Sequence, residues 1–285
     1  MHTRRLGAGG PTVSAIGLGG MYLSINGRPD EATALATIHA ALDAGVTLID
    51  TADVYCTDDG DIGHNERLIA KAIGGRRERV VIATKGGLRR PRGAWTRDGR
   101  PEALRSACEA SLRALGVSTI ELYQLHAPDE HVRFADSVGE LARLRDAGKI
   151  RHVGLSNVTV TQLEEARRIV PIASVQNRWS PGHRQPERDG VLTACTRAGI
   201  AFLPYSPFGG AAGARGLAGT GILGEEAARR GVTPHRLVVA WMLAKSPIVI
   251  PIPGARRKES IQDSARATEL TLSPGDVARI EASFS

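Results

Sequence analysis

Short apolar runs alternate with longer amphipathic segments along the chain, and this alternation constrains the fold more than any other feature. Short apolar runs are typical of buried parallel strands, whereas the segments between them carry the periodicity of helices. The predicted strands are 15–18, 47–49, 80–83, 122–125, 152–154, 173–175, 201–203 and 248–250. Eight strands separated by helices in 285 residues predict the α/β class and a (β/α)8 TIM barrel, as a single domain over residues 1–285.

Helix start and stop signals support this division of the chain. The segment Glu31–Ala44 is closed by Gly45, and Pro101–Leu115 begins with proline and ends before glycine. Residues 4–13 contain the turn sequence GAGGP and predict a small N-terminal β-hairpin before the barrel. Further helices are predicted over 65–73, 135–147, 161–168, 187–198, 234–244 and 256–268, with a last one starting at Ser273-Pro274.

The main alternative fold is a doubly wound open sheet. Its dinucleotide-binding form needs GxGxxG directly after the first strand. The sequence there is GLGGMYL, which does not fit the pattern, and neither GxxxxGK[ST] nor HExxH occurs in the chain. The barrel therefore remains the better interpretation.

Composition excludes several kinds of partner. The net charge is +7, but the basic residues are scattered and aromatic residues make up only 4%. A nucleic-acid-binding protein more often groups its basic residues and interleaves aromatic ones, so we expect no nucleic-acid partner and favour an anionic small molecule. No apolar run is long enough to cross a bilayer, the N-terminus lacks a signal-peptide core, and three distant cysteines form no CxxC pair. These features predict a cytoplasmic protein with no membrane partner.

Polar side chains follow the predicted strands, where a barrel collects its functional residues. Asp50 and Tyr55 follow the second strand, Lys85 the third and His126 the fourth. Each alone also fits an ordinary role, such as a helix cap or a solvated charge. Together they predict a proton-donating site, in which the ammonium lowers the phenol pKa from about 10 and the carboxylate holds the lysine. The phenol then delivers a proton, the imidazole polarises the same oxygen, and the spacing predicts no metal.

Several stretches resemble the aldo-keto reductase family, in the family's order and over nearly the whole chain. They are LIDTADVY, VIATKGG, YQLHAPD, GKIRHVGLSN, VQN, LPYSPFGG and IPIPGARR. The resemblance implies a barrel enzyme that binds NADPH across its C-terminal mouth without a Rossmann domain and reduces an aldehyde or ketone by hydride transfer. It implies a catalytic tetrad of Asp50, Tyr55, Lys85 and His126, with Tyr55 as general acid. Asp53 falls on a variable position and is expected at the rim.

The same resemblance implies the positions that bind NADPH/NADP+. Three are expected on the nicotinamide carboxamide, one beneath the ring, three along the pyrophosphate and three near the adenosine phosphate. In that order they are Ser156, Asn157 and Gln176; Tyr205; Ser206, Pro207 and Phe208; and Gly254, Arg256 and Asp263.

Two departures from the family pattern affect the phosphate region. Ser260 stands where many members carry a basic residue, and Ser264 where many carry asparagine. Recognition of the 2′-phosphate is therefore expected from Arg256 and Arg257, and with it a preference for NADPH over NADH. The glycine-rich loop 209–221 is expected either to close over the cofactor or to be a mobile surface segment.

The substrate is predicted to be a small carbonyl compound, bound in a pocket with an apolar and aromatic rim. Its candidate residues are Met21, Tyr22, Trp95, Trp179 and those near His131. The stretch GLSNVTVTQLEEARRIVPIASVQN, with HRQPERDGVL after it, resembles pyridoxal-reducing members, which implies pyridoxal reductase or pyridoxine 4-dehydrogenase activity. The alternatives are a broad aldehyde reductase, a ketosugar reductase of a biosynthetic pathway, and a non-catalytic NADPH-binding barrel subunit. A barrel hydrolase or aldolase using Lys85 as a Schiff base is a further alternative.

Overall fold

Seven parallel strands follow one another around one sheet in the computed structural model, which describes residues 1–217 and 221–284. From Leu18–Gly19 to Ala201–Phe202, these strands lie in the sheet in the same order as in the chain, so each crossover places a helix outside the sheet. The strands are β1 Thr3–Arg5, β2 Thr12–Ser14, β3 Leu18–Gly19, β4 Leu48–Asp50, β5 Val81–Gly86, β6 Leu88–Arg89, β7 Thr96–Arg97, β8 Ile120–Leu125, β9 Ile150–Ser156, β10 Ile172–Gln176 and β11 Ala201–Phe202.

Residues 248–254 occupy the eighth position of the barrel wall, between β11 and β3. On one side the amide of Ile250 donates to the carbonyl of Phe202 at 2.8 Å, and on the other the amide of Gly19 donates to the carbonyl of Pro253 at 3.0 Å. The predicted eighth strand makes isolated bridges here and no continuous ladder. The prolines in and before this segment lack an N–H, which explains the interruption. The predicted (β/α)8 barrel is confirmed.

The helices follow the predicted pattern closely. Asp30, Thr159 and Ser273 each cap the helix that begins at the next residue, by accepting a backbone N–H with their side chains. The predicted helix 187–198 is divided in two at Gly190, whose φ is +82°. The helices are α1 Glu31–Asp43, α2 His64–Ile73, α3 Pro101–Leu115, α4 Phe134–Asp146, α5 Val160–Arg167, α6 Gln185–Arg188, α7 Val191–Ala198, α8 Gly210–Gly216, α9 Gly221–Arg229, α10 Pro234–Lys245, α11 Lys258–Ala265 and α12 Pro274–Ala282.

Two hairpins flank the two ends of the barrel. The predicted N-terminal hairpin, β1 and β2, is confirmed, and its Leu6 and Val13 pack against residues that fill the barrel interior. Gly7 is needed there, since a Cβ would lie 2.2 Å from the carbonyl oxygen of Ala173. The second hairpin, β6 and β7, follows β5 at the opposite end and was not predicted. It overhangs the mouth where the strands end.

The core between the sheet and the helices contains the largest apolar side chains. Trp179 is fully buried there, with ring centroids 4.7 Å from Trp241 and 5.9 Å from Phe202. Its indole N–H donates to Glu187 at 2.9 Å. The expectation that Trp179 lies on the substrate rim is therefore wrong, because the ring has packing partners on the helix side of the sheet. Among the described helices, none has both the length and the apolar character needed to span a membrane.

Candidate active site

A buried lysine lies at the centre of the site. Lys85, near the end of β5, has no exposed surface, and its ammonium donates three hydrogen bonds. The acceptors are Asp50 Oδ2 at 2.7 Å, the backbone carbonyl of Thr51 at 2.7 Å, and the Tyr55 hydroxyl at 3.0 Å. All three N–H donors of the ammonium are therefore engaged, and its direction is fixed. Burial lowers the pKa of Lys85, and the Asp50 carboxylate opposes that shift.

The partner carboxylate is held on both oxygens. Asp50 Oδ1 accepts from the side-chain amide of Gln176 at 2.8 Å and from that of Gln124 at 3.3 Å. These donors come from β10 and β8, so three strand ends converge on one carboxylate. A buried ion pair is tolerated only when the remaining lone pairs are satisfied, as they are here.

Tyr55 presents its phenol from a buried position beside Lys85. The ammonium lies 4.8 Å from the ring centroid and donates to the hydroxyl oxygen. The expectation of a lowered phenol pKa is wrong for this structure: burial raises the pKa of Tyr55 well above 10, and the Asp50 carboxylate adds to the rise. Burial removes the water that would stabilise a phenolate. The phenol therefore keeps its proton, and no acceptor for that proton lies among the described residues.

His126 faces Tyr55 across the mouth. The two ring centroids are 5.7 Å apart, with the planes at 80°. Burial, and after it the Lys85 charge, lower the pKa of His126 well below 6.5, so the imidazole is neutral. Its Nδ1 is buried with no hydrogen-bond partner in the part of the chain that the structure describes. A neutral imidazole has one N–H to donate, and His126 lines the cavity beside the phenol.

A cavity of about 400 Å³ opens above these groups at the C-terminal mouth. Asp50, Tyr55 and His126 line it, while Lys85 lies behind them. The predicted cofactor residues line it as well, apart from two. Those in the lining are Ser156, Asn157, Gln176, Tyr205, Ser206, Pro207, Phe208 and Gly254.

The floor of the cavity is built from residues in strained conformations. Asn157 and Ser206 have φ of +60° and +52°, a region that side chains other than glycine rarely adopt. Asn157 accepts from the Tyr205 hydroxyl at 2.8 Å and donates to the His126 carbonyl at 3.0 Å and to Ser156 Oγ at 3.1 Å. The side-chain amide of Asn157 therefore connects Tyr205, His126 and Ser156 across the floor. The Ser156 hydroxyl, which accepts from it, keeps its hydrogen for a ligand.

Arg256 and Asp263 do not line the cavity. Arg256 is exposed just beyond Gly254, with its guanidinium 5.2 Å from the ring centroid of Tyr22. A Cβ on Gly254 would lie 2.6 Å from Tyr22 Cδ2, so glycine is needed for the Tyr22 ring to pack against this backbone. Asp263 accepts from Arg236 Nε at 3.0 Å and Nη2 at 2.6 Å, and so joins α11 to α10. The carboxylate is thus paired within the protein, and its contact with the cofactor stays a prediction.

The glycine-rich segment 209–221 is helical where it is described. Residues 210–216 form α8, and Gly210 and Ala214 line the cavity. Residues 218–220 lie outside the described part of the chain. His235 on α10 contacts the carbonyl oxygen of Ala214 at 2.8 Å, which attaches α8 to the barrel.

The rim of the cavity is mostly as expected. Met21, Tyr22 and Trp95 line it, and His131 does not. Asp53 is buried at 5% exposure, so its expected place at the rim is wrong. Burial, with the charge of Glu66, raises the pKa of Asp53 well above 3.8. Among the described residues, no group of three or more His, Cys, Asp or Glu is placed to hold a metal ion.

Two contributors were not assigned a role from the sequence. Gln124 stands two residues before His126 at the end of the same strand. Because side chains two residues apart lie on one face of a strand, this spacing could have identified Gln124 as a site residue. Leu88 lines the cavity from the unpredicted hairpin. Its position depends on how β6 and β7 fold back over the mouth, and no local pattern encodes that.

Comparisons with known proteins agree with the barrel fold and indicate the family. A sequence model of the aldo/keto reductase family matches residues 15–284. An uncharacterized oxidoreductase of Schizosaccharomyces pombe is 34% identical over 96% of this chain and 87% of its own length. The glycerol dehydrogenase of Gluconobacter oxydans superposes with a TM-score of 0.84 at 28% identity, covering 98% of this chain and 94% of that one. An aldo-keto reductase of Klebsiella pneumoniae, solved with NADPH, gives 0.83 at 27% identity, covering 99% and 95%.

Proposed function

The chain belongs to the aldo/keto reductase family, and we propose that it is an NADPH-dependent enzyme that reduces an aldehyde or ketone to an alcohol. The observation that carries this proposal is the Lys85 ammonium, which holds the Tyr55 hydroxyl at 3.0 Å while every N–H of its own is engaged. The phenol oxygen accepts from the lysine, and the phenol hydrogen is left for a substrate oxygen. Tyr55 is therefore the proposed general acid.

The lining of the cavity fits a nicotinamide cofactor. Ser156 and Gln176 offer polar groups at one end, where a carboxamide can be bound. Tyr205, Pro207 and Phe208 offer flat apolar surface beside them, suited to the face of a ring and the chain beyond it. When bound, this cofactor supplies the hydride.

The phosphate end of the cofactor is proposed to lie along Arg256 and Arg257. Arg256 is exposed and has no ion-pair partner among the described residues, so its guanidinium is available to a phosphate. Arg257, the next residue in the chain, is also exposed and donates to Ser260 Oγ at 3.2 Å, so it is the second proposed phosphate contact. These two arginines support a preference for NADPH over NADH.

Proton delivery follows from the protonation states of the site. The carbonyl oxygen gains negative charge as its carbon accepts hydride, and Tyr55 transfers its phenolic proton to that oxygen. His126 is neutral and donates a hydrogen bond to the same oxygen. Lys85 stabilises the phenolate that remains, through the hydrogen bond it already makes. These contacts strengthen only as charge develops, which is the condition for a rate effect.

The Schiff-base alternative has little support from this geometry. Lys85 has no exposed surface, and its three hydrogens bind Asp50, Thr51 and Tyr55. A nucleophilic lysine needs a free lone pair and access to the substrate carbon. Lys85 has neither, and its geometry instead suits the tuning of a phenol.

For the substrate, we propose a flat aromatic aldehyde of the pyridoxal type. Trp95 stands on the cavity wall with its ring centroid 6.4 Å from those of both Tyr55 and His126. Tyr22 and Leu88 complete an apolar wall that suits a planar ring. A ketosugar would find fewer hydrogen-bonding groups on this wall. The burial of Trp179 removes one of the aromatic surfaces first expected there.

The test measures kcat/KM for pyridoxal, para-nitrobenzaldehyde and a ketosugar, from the fall in NADPH absorbance as each is reduced. We expect turnover of the aromatic aldehydes, and a higher kcat/KM for pyridoxal than for para-nitrobenzaldehyde. Tyr55→Phe should keep NADPH affinity and lose turnover by about a hundredfold or more. NADPH binding without turnover of any carbonyl would leave the non-catalytic barrel as the function. Equal values for the two aldehydes would leave a broad reductase.

A further inference from the structure

Arg90 carries a buried positive charge whose donors are only partly satisfied. The residue is 3% exposed, and its Nη2 donates to the carbonyl oxygens of Cys56 at 3.1 Å and Thr57 at 3.2 Å. Its Nε and Nη1 are also buried, and neither has a hydrogen-bond partner among residues 1–217 and 221–284. Buried donors without acceptors are costly, so this guanidinium is stabilised by any acceptor that reaches it.

No carboxylate in the described structure pairs with Arg90. The acidic residue of the same hairpin region, Asp98, is bound by Arg89 at 3.1 Å and by Arg100 at 2.8 Å. Asp53 lies in the same part of the fold, but its Oδ1 accepts from the amide of Val54 at 2.7 Å and it forms no ion pair with Arg90. The positive charge of Arg90 therefore lacks a permanent counter-ion.

Trp95 contacts Arg90 on one of its faces and also lies beside the reaction centre. The guanidinium carbon is 3.9 Å from the centroid of the Trp95 ring, a cation–π stack. The indole lines the active-site cavity and is 47% exposed. Its centroid lies 6.4 Å from the Tyr55 and His126 rings. Arg90 is thus linked to the active-site cavity through one aromatic ring, next to a hairpin of only two residue pairs.

We propose that Arg90 binds an oxyanion, a carboxylate or a phosphate, carried by the carbonyl substrate, and that Trp95 is a movable cover over this subsite. The inference rests on the proposed reductase function and specifies its substrate class. A substrate with its carbonyl at Tyr55 and its anionic group one ring away reaches the guanidinium when the indole turns aside. The anion then supplies the acceptors that Nε and Nη1 lack.

The first test compares two pairs of substrates, each with one anionic and one neutral member. One pair is para-formylbenzoate and its methyl ester, and the other is pyridoxal phosphate and pyridoxal. We expect the anionic member to have a kcat/KM at least about tenfold above its neutral partner in one or both pairs, the size of a charge-assisted hydrogen bond. A preference in the first pair identifies carboxylate as the ligand, and one in the second identifies phosphate.

Variants of the hairpin assign the preference to Arg90. Arg90→Met should abolish the anionic-to-neutral ratio, and Arg90→Lys should restore part of it by keeping the charge. Arg97→Met is the matched control, because it removes one charge from the same hairpin at an exposed side chain and should keep the ratio. Trp95→Ala should keep or raise the ratio, since it uncovers the guanidinium. Using the ratio within each variant cancels any general loss of turnover.

Direct binding gives a readout that does not require turnover. The product analogue para-(hydroxymethyl)benzoate should change the fluorescence of Trp95, the exposed tryptophan, and bind at least about tenfold more tightly than its methyl ester. Trp95→Phe should lose the signal, while Arg90→Met should lose the affinity difference. If wild type shows no preference for anions in rate or binding, or if Arg90→Met keeps it, Arg90 only positions Trp95 and the proposal is overturned. Inactivity towards every neutral aldehyde would instead count against the reductase function.

Discussion

Replacing Lys85 with methionine tests the arrangement on which the proposed chemistry depends. Methionine keeps an unbranched side chain in a position with no exposed surface, but it removes the ammonium. The change breaks a 2.7 Å ion pair and leaves the Asp50 carboxylate buried without its counter-ion. It also removes the donors to Thr51 and Tyr55.

The size of the effect follows from what the carboxylate retains. Removing one partner of a buried ion pair typically costs about 3–5 kcal/mol of unfolding free energy. Asp50 keeps its amide donors from Gln176 and Gln124, so we expect a loss near the lower end, about 3 kcal/mol. For a chain of this size that corresponds to a fall in Tm of roughly 5 °C.

Activity should fall for a separate reason. The Tyr55 phenolate formed during proton transfer loses the hydrogen bond that stabilises it, so kcat should fall by about a hundredfold or more. NADPH affinity should change little, since Lys85 lies behind the cavity lining. Urea unfolding measures the free energy of unfolding, a thermal melt the Tm, a steady-state assay of NADPH oxidation the kcat, and a fluorescence titration the NADPH affinity.

The double variant Asp50→Asn/Lys85→Met separates the two effects. An asparagine at this position carries no charge, so the double variant should regain about 2 kcal/mol of stability relative to Lys85→Met. Its kcat should stay as low as that of the single variant. The reasoning is refuted if Lys85→Met unfolds within about 0.5 kcal/mol of wild type, the range of an ordinary surface change. It is equally refuted if the variant keeps most of its kcat.

Three further changes test other parts of the site. Arg256→Ala should weaken NADPH binding about tenfold, by loss of one charge-assisted contact, and leave NADH binding unchanged in fluorescence titrations; an equal loss for both cofactors would place the phosphate elsewhere. Burial and the Lys85 charge hold the pKa of His126 well below 6.5, so as the pH falls through that value the unfolded chain takes up a proton that the folded chain does not. Wild type should therefore lose more stability in urea than His126→Asn between about pH 7 and pH 5, by up to about 1.4 kcal/mol per pH unit, and parallel curves would contradict the depressed pKa. Trp179→Ala should cost about 3–5 kcal/mol of stability as a large-to-small core change, with no shift in the ratio of kcat/KM between aldehydes; a changed ratio would return this residue to the substrate rim.

The sequence was sufficient to predict the barrel and the residues that meet at its mouth. Each strand of the wall is followed by a helix, so the strand ends all gather on one face, and residues far apart in the chain become neighbours. Asp50, Lys85 and His126 could therefore be predicted as one group from their places after successive strands. The prolines near residues 248–254 also explain why the eighth wall position makes only isolated bridges.

Burial and pairing were decided by the tertiary structure. The pKa of Tyr55 is raised and not lowered, because the depth of its burial cannot be derived from the spacing between Tyr55 and Lys85. Trp179 packs in the core against Trp241, and Asp263 forms an ion pair with Arg236. In both cases the partner lies on another element, so the contact depends on how the elements pack. A pattern in the chain specifies which face a side chain takes, whereas its solvation and its partners depend on every element that packs around it.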